Sequence, residues 1–388
     1  MDVLVNASNL FKGGGVQVAA SFVVESLTNT KGIAWHYALS RAVADEVAEQ
    51  ARLPECVEVF ESSPARDKRQ RQRLQLLEAS IEPDAVFSVF GPVYVNFQAP
   101  HLLGVAAGWV THSSQLAYSM LPSWVGKLKT MLASIYKGYW LRSANRWVVE
   151  ADNARLGMQK RLALPLSKVD VVPNACASLF LVADIASAKR PEQGDTVRLI
   201  YVSANYPHKN ISFVPRVARE LKKLQPELDF KFVLTLPSGE AGLALGDLVE
   251  LGVEENIENV GRVSLTELVE LYRKAHICFM PSVLETFSAT YVEAMALGRP
   301  IIASDLDFAH AVCKDAARYI DPADSAAAAR SIVELLTSEG IWNECVRRGS
   351  SRLAELPTAR QRYEMYIESI RATVSGENNI AAEIEREI

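Results

Sequence analysis

Two carboxylates, Glu285 and Glu293, stand with seven residues between them in a stretch that is otherwise almost free of charge. Ile277-Cys278-Phe279-Met280 has the length and composition of a buried strand, and Pro281-Ser282 ends it. Ser288 then reads as an N-cap, and a helix is predicted from Ala289 to Leu297, stopped by Gly298 with Pro300 just beyond. The next strand is Ile301-Ile302-Ala303-Ser304. This spacing puts Glu285 on the loop at a strand's carboxyl end and Glu293 one to two turns into the following helix. A helix N-terminus offers unpaired N–H groups and partial positive charge to an anion. A loop carboxylate there can accept hydrogen bonds from sugar hydroxyls, and a helix carboxylate can hold the two hydroxyls of a ribose. The pattern suits a phosphorylated sugar or nucleotide better than it suits two solvated surface glutamates.

Two further loops have residues fit for an anion. Ser203-Ala204-Asn205-Tyr206-Pro207-His208-Lys209-Asn210 follows the apolar run Leu199–Val202 and precedes a helix expected at about 211–224. The Lys209 amine on such a helix-opening loop can neutralise a departing phosphate. Near the start, Lys12-Gly13-Gly14-Gly15-Val16 follows the strand-like Val3–Asn6 and opens a helix. Glycines let backbone approach a phosphate or sugar closely, although a plain flexible turn uses the same residues. The triplet is not GxGxxG, which disfavours a dehydrogenase.

The elements that must position these loops are legible as alternating strands and helices. Short apolar runs at Val86–Phe90, Trp147–Val149, Val169–Val172, Leu199–Val202, Phe230–Leu234, Ile277–Met280 and Ile301–Ala303 are separated by helical patterns, the signature of βα units on parallel sheets. A chain of 388 residues exceeds one ordinary core. The expected organisation is an N-terminal Rossmann-like domain over 1–182, a linker over 183–197, a second Rossmann-like domain over 198–355, and a C-terminal helix and tail over 356–388 packing back on the first domain. The last residues from Gly376 are polar and acidic, as in a frayed end.

Composition narrows the class. Five dispersed cysteines without a CxxC pair argue against a disulfide framework or a zinc site. Met1-Asp2-Val3-Leu4-Val5 lacks the basic start and apolar stretch of a signal peptide, and no membrane-spanning run is evident, so a cytoplasmic chain is expected. The net charge of −5 hides an asymmetry. Residues 1–180 hold 18 basic and 15 acidic side chains, and the acidic excess lies in the remainder. No acidic residue occurs between Asp84 and Glu150, a stretch with Lys127, Lys129, Lys137, Arg142, Arg146 and many aromatics. Trp124 to Arg142 reads as a helix with Leu128, Met131, Leu132, Ile135, Tyr136, Tyr139 and Trp140 on one face. Two readings stay open for it: an ordinary core-facing helix, or an interfacial helix on anionic lipid at the inner face of the plasma membrane. The basic run Arg66–Arg73 could assist but is most simply a solvated face. Nucleic acid is disfavoured by the acidic whole. Asp305-Leu306-Asp307 spells a D-x-D, but two acids without further ligands make a poor metal site.

The stretch Pro281-Ser282-x-x-Glu285-Thr286-Phe287 … Glu293-Ala294-Met295-Ala296-x-Gly298-x-Pro300-Ile301-Ile302-Ala303, with Asn259-Val260-Gly261-Arg262 and Glu267-Leu268 upstream, resembles the E-x7-E signature of the GT4 family of retaining glycosyltransferases. The resemblance covers about 198–325 well and the first half loosely. It implies the GT-B fold, an α/β architecture of two Rossmann-like parallel-sheet domains facing across a cleft. It also implies transfer of a sugar from a nucleotide-diphosphate donor of UDP or GDP type, with no metal and no further cofactor. On this reading Glu285 lies by the donor sugar, Glu293 holds the ribose, and Asn205, Thr286, Phe287 and Ser288 complete the donor site. Lys209 matches the lysine that grips the diphosphate, while the arginine that accompanies it in the family is missing. Gly13, Gly14 and Gly15 match the Gly-Gly loop, and His112, in Gly108-Trp109-Val110-Thr111-His112, matches a functional histidine. Pro173-Asn174-Ala175 resembles a Pro-Asn-Gly at the hinge. Two departures, Ser288 in place of a glycine and Ala311 where a glutamate is common, bear on which sugar is used. The basic, aromatic first half favours a lipid-linked or oligosaccharide acceptor, as in bacterial surface-polysaccharide (O-antigen, capsule or lipopolysaccharide) synthesis. The alternatives are a GT-B nucleotide-sugar epimerase, which needs no acceptor, and a non-catalytic sugar-nucleotide binder.

Overall fold

The computed structural model describes residues 1–54, 56–182, 189–237 and 239–377. The strands are β1 (Asp2–Ala7), β2 (Ala34–Ser40), β3 (Val57–Phe60), β4 (Ala85–Ser88), β5 (His101–Val105), β6 (Arg146–Val149), β7 (Val169–Val171), β8 (Val197–Tyr201), β9 (Phe230–Leu234), β10 (Ile257–Asn259), β11 (Ile277–Met280), β12 (Ile301–Ser304) and β13 (Ala317–Ile320). Every strand pair is parallel, so each connection must cross over, and helices fill the crossovers except that from β4 to β5. The chain divides into two compact units. The first comprises Met1–His112, Leu128–Asn174 and the chain from Pro357 on; the second comprises Ser113–Lys127 and Ala175–Leu356.

The first unit holds a seven-stranded sheet in the order β3-β2-β1-β4-β5-β6-β7. Both faces of this sheet are covered, and β4, β5 and β6 are buried at every position. The helix Ala359–Ser375 completes one face of this sheet. Its Tyr363 and Tyr366 are buried against Phe22, at 5.3 Å and 5.7 Å between ring centroids, and Tyr366 also meets Phe87 at 5.1 Å. Thr358 and Gln361 start that helix with a reciprocal capping box. On the same helix Arg362, buried, donates to Asn174 Oδ1 and Ser21 Oγ. The buried Arg146 guanidinium on β6 grips Asp170 on β7 with two bonds of 2.6 Å and 2.8 Å. Both charges are thus paired where an isolated one would be costly.

The second unit holds a six-stranded sheet in the order β10-β9-β8-β11-β12-β13. Its core gathers Phe213, Phe232, Phe279, Tyr291 and Trp342, among others. Phe180 belongs to this core, with its ring 5.9 Å from Tyr272, so residues 175–182 group with the second unit and not the first. Of the expected linker, 183–188 lie outside the described residues, and Val197 already opens β8. In the tail, 378–388 likewise lie outside them. In both sheets the strand order reverses once, between β1 and β4 in the first unit and between β8 and β11 in the second. Ligands of open α/β sheets bind at that reversal, beyond the carboxyl ends of the strands.

Candidate functional site

In the second unit, the loops that follow β8 and β11 flank the reversal point, and their backbones are tied together. Val283 N donates to His208 O at 2.8 Å. Asn210 Nδ2 donates to Pro281 O at 3.2 Å and to Pro322 O at 2.9 Å, binding the first loop to two others. Asn210 takes a left-handed backbone (φ 54), a conformation asparagine tolerates better than most side chains, and so turns the chain sharply after Lys209. Tyr201, at the end of β8, donates its hydroxyl to Lys209 O and lies 3.2 Å from Ser282 Oγ. The base of the loop is fixed as well, with Ser203 N donating to Thr235 Oγ1 at 3.1 Å.

This lacing delivers Lys209 Nζ to 2.5 Å from Glu285 Oε1, with both side chains largely buried. Next to them His208 stacks on Tyr206, with centroids 5.5 Å apart and planes 7° apart. Burial pushes the His208 imidazole down to about 4, so it is neutral at pH 7. Ser288 sits at the N-cap position of the helix Ala289–Ala296 but has φ 66 and makes no capping bond with its side chain. The expected side-chain cap is therefore absent, because the positive φ turns Ser288 out of the extended geometry that such a cap needs. The first N–H groups of that helix are left without this partner. The helix also ends one residue earlier than expected, at Ala296.

Glu293 lies in the fifth position of the helix and is buried. Tyr272 donates its hydroxyl toward Glu293 Oε2 at 3.2 Å. Burial raises the Glu293 carboxyl to about 7, with the Tyr272 bond acting in the opposite direction. A carboxyl poised near neutrality inside a core is the kind of perturbed group that marks functional sites. Thr286 and Asn205 are half-buried on the same two loops. Phe287, named for donor binding, has its ring in the hydrophobic core, so only its backbone can face a ligand. Sequence reasoning named Ser203 and Asn210 in the loop without their bracing role, and missed Tyr201, Thr235 and Tyr272. The signal for Asn210 was present, since a Lys-Asn pair just before a helix is a natural left-handed turn.

The glycine turn and His112 belong to the first unit. Gly13 has φ 78, in the region that favours glycine, and precedes the helix Gly14–Thr28. Gly14 and Gly15 form the first turn of that helix, beyond β1 at this sheet's own reversal point. Asn9 Nδ2 ties this loop to the one after β4 by donating to Phe90 O at 2.9 Å. His112 ends the short helix Gly108–Thr111, and its Nδ1 lies 2.7 Å from Thr111 Oγ1. The helix Asp152–Leu162 presses on that turn through Gly157, where a Cβ would meet Thr111 O at 2.1 Å. Asp305 of the D-x-D is engaged by His310 Nε2 at 2.6 Å, and the His310 ring stacks on Tyr319.

Residues 196–338 match the family model described as glycosyl transferases group 1. The chain is 28% identical over 168 residues to the O-antigen chain mannosyltransferase RfbU of Salmonella typhimurium, covering 43% of this chain and 41% of that protein. It is 26% identical over 256 residues to the O-antigen chain mannosyltransferase B of Escherichia coli, covering 64% and 65%. The matched stretches thus span less than two thirds of these curated relatives. Among solved structures, the sucrose-phosphate synthase of Thermosynechococcus elongatus superposes with a TM-score of 0.72 at 15% identity, over 97% of this chain and all of the other. Two Rossmann-like parallel-sheet units with such neighbours define the GT-B class. The chain carries a GT4-like group 1 glycosyltransferase domain, and that domain contains the Lys209–Glu285 pair and Glu293.

Proposed function

We propose that this protein is a retaining, metal-independent glycosyltransferase that moves a sugar from a nucleotide-diphosphate donor to a lipid-linked or oligosaccharide acceptor in bacterial surface-polysaccharide synthesis. The observation that carries the reading is the meeting of Lys209 and Glu285 on the two loops at the reversal point of the group 1 domain. The O-antigen relatives support the acceptor class. In the donor complex the Lys209 amine exchanges Glu285 for the diphosphate, where charge-assisted hydrogen bonds stabilise the leaving group. The N-terminal amides of Ala289–Ala296 add positive potential. Glu285, released from the lysine, accepts hydrogen bonds from the donor sugar and orients it, while Glu293 takes the ribose hydroxyls. The bond between the anomeric carbon and the phosphate oxygen breaks as the acceptor hydroxyl attacks from the same face. The proton of that hydroxyl passes to the departing phosphate oxygen. In the first unit, the Gly13–Gly15 turn and His112 are proposed to serve the same reaction. The protein is proposed to work in the cytoplasm, at the membrane's inner face.

A thermal-shift screen against UDP, GDP, dTDP and ADP tests the reading, because a ligand that binds only the folded state raises the melting point by mass action. One of the four should do so, and its sugar conjugate should be consumed only when acceptor is added. Donor turnover without acceptor would indicate the epimerase instead. Absence of any shift would overturn the proposal.

A further inference from the structure

The helix Trp124–Leu141 is built inside out. Gly126, Thr130, Ser134 and Gly138 recur every fourth residue, and these small residues lie on its sheltered side. At Gly138 a Cβ would come within 2.9 Å of Leu162, so this side is packed as closely as glycine permits. Leu141 is fully buried at the end of the helix. The large apolar residues take the other side. Trp124, Ile135 and Tyr139 are 74%, 64% and 68% exposed, and Val125, Leu128, Met131, Leu132 and Tyr136 are all exposed beside them. At 100° per residue these eight side chains fill one continuous arc of about 140°. The core-facing reading is therefore wrong for this stripe, and isolated surface hydrophobics do not account for eight contiguous ones.

We infer that this face docks the protein on an anionic lipid bilayer. Charge complementarity selects that occupant over a second copy of the chain. Lys127 and Lys129 border the apolar arc on its two sides and Lys137 lies behind it, and all three are exposed. Among the described residues no hydrogen bond or ion pair engages their side chains. Residues 85–149 contain no acidic side chain, so this stretch itself neither repels a negative surface nor supplies partners for these lysines in a facing copy. Trp124, Tyr136 and Tyr139 are residues of the membrane interface, where one end of a ring is apolar and the other wet. Lysines at the border can extend to headgroups while their stems cover apolar surface. No helix among the described residues is long and apolar enough to cross a membrane, so this one lies in the interface plane. Tyr94, stacked on Tyr136 at 5.7 Å and set edge-on to Trp140 at 5.8 Å, braces the helix against the loop that follows β4.

The test is co-sedimentation of the full chain with vesicles of phosphatidylcholine containing about 30% phosphatidylglycerol, against pure phosphatidylcholine. The wild type should bind the anionic vesicles at least tenfold more strongly, and about 0.5 M salt should weaken binding severalfold. Leu132→Glu with Ile135→Glu should abolish binding, and replacing Lys127, Lys129 and Lys137 by Gln should cost at least tenfold. These side chains are exposed, so melting points should stay unchanged. Should a variant misfold, quenching by brominated lipid, compared between wild type and Trp124→Phe, gives the same information: the difference in quenching must report Trp124 in contact with lipid. Three results would overturn the inference: no binding of the wild type, unaltered binding of the glutamate variant, or a lipid-free dimer that the glutamate variant splits. The inference stands apart from the transfer reading, since Glu285→Gln should bind vesicles like wild type whatever its activity.

Discussion

Lys209 Nζ and Glu285 Oε1, on different loops of one sheet, are 2.5 Å apart and share a nearly buried ion pair. The pair implies a competition. A diphosphate must take the lysine from the carboxylate, and each charged hydrogen bond so exchanged is worth roughly 1.5–3 kcal/mol. Two substitutions should therefore act with opposite signs. Lys209→Ala should weaken the nucleoside diphosphate selected by thermal shift by roughly tenfold to a hundredfold, and leave the corresponding nucleoside unaffected. Glu285→Gln should bind the nucleoside diphosphate as tightly as wild type or tighter, because its lysine is released, yet lose transfer by at least a hundredfold. Isothermal titration with the four nucleotide–variant pairs checks both. Weaker diphosphate binding by Glu285→Gln would show that the pair serves structure and not exchange.

Glu293 gives a pH prediction. Its carboxyl ordinarily titrates near 4.5 and is lifted to about 7 by burial. Between those values the folded chain binds more protons than the unfolded one, so this group's contribution is complete below about 4.5 and is lost as pH rises through about 7. Glu293→Gln should remove that slope, so it gains stability relative to wild type at pH 8 compared with pH 5 in urea titrations. Nucleotide binding should run the other way. Ribose hydroxyls donate to the ionised carboxylate, so wild-type affinity should rise as pH approaches 7 and then level, whereas Glu293→Gln should bind weakly and without that component.

The first unit depends on a helix distant in sequence. Tyr363 and Tyr366 are almost wholly buried against Phe22 and Phe87. Truncating either to Ala should cost about 3–5 kcal/mol, in the range for large buried aromatics. The loss should fall on one unit. Hydrogen exchange should accelerate in β1 and β4 while β8 and β11 keep their protection. Equal acceleration in both sheets would contradict the division into units.

How much of this was readable beforehand depends on what each residue's neighbours dictate. Phe230–Leu234 and Ile277–Met280 match β9 and β11 residue for residue: β11, buried at every position, is an unbroken apolar run, and β9 is broken only by the half-buried Lys231. β2 went unread because His36 and Ser40 interrupt its pattern. In the structure His36 pairs with Asp2, and Ser40 caps the helix that follows. At the candidate site, the placing of Glu285 and Lys209 on loops after strands, and of Glu293 in the helix that follows, was legible from the strand–loop–helix pattern. Tyr201 and Tyr272 were not, since an aromatic in an apolar run reads as core until its hydroxyl is seen to have a polar partner. The helix Trp124–Leu141 was legible as a helix but not in orientation. A stripe of large apolar residues normally marks the buried side, and only the small-residue stripe at 126, 130, 134 and 138 carries the contrary information.

Gly157 offers the sharpest probe of the first unit's part in the reaction. A Cβ there would stand 2.1 Å from Thr111 O, a backbone atom that cannot swing aside. Gly157→Ala must therefore push the Gly108–Thr111 turn, and with it His112, away from the helix Asp152–Leu162. Overpacking of this kind costs about 1–3 kcal/mol, which a chain of this size survives. The displaced residue is the candidate histidine, while Lys209, Glu285 and Glu293 lie in the other unit. If His112 serves the transfer step, the variant should lose kcat by at least tenfold with its nucleoside diphosphate affinity unchanged, and His112→Ala should lose a similar factor. A variant with full kcat would remove His112 from the reaction and leave it as a capping residue of a short helix.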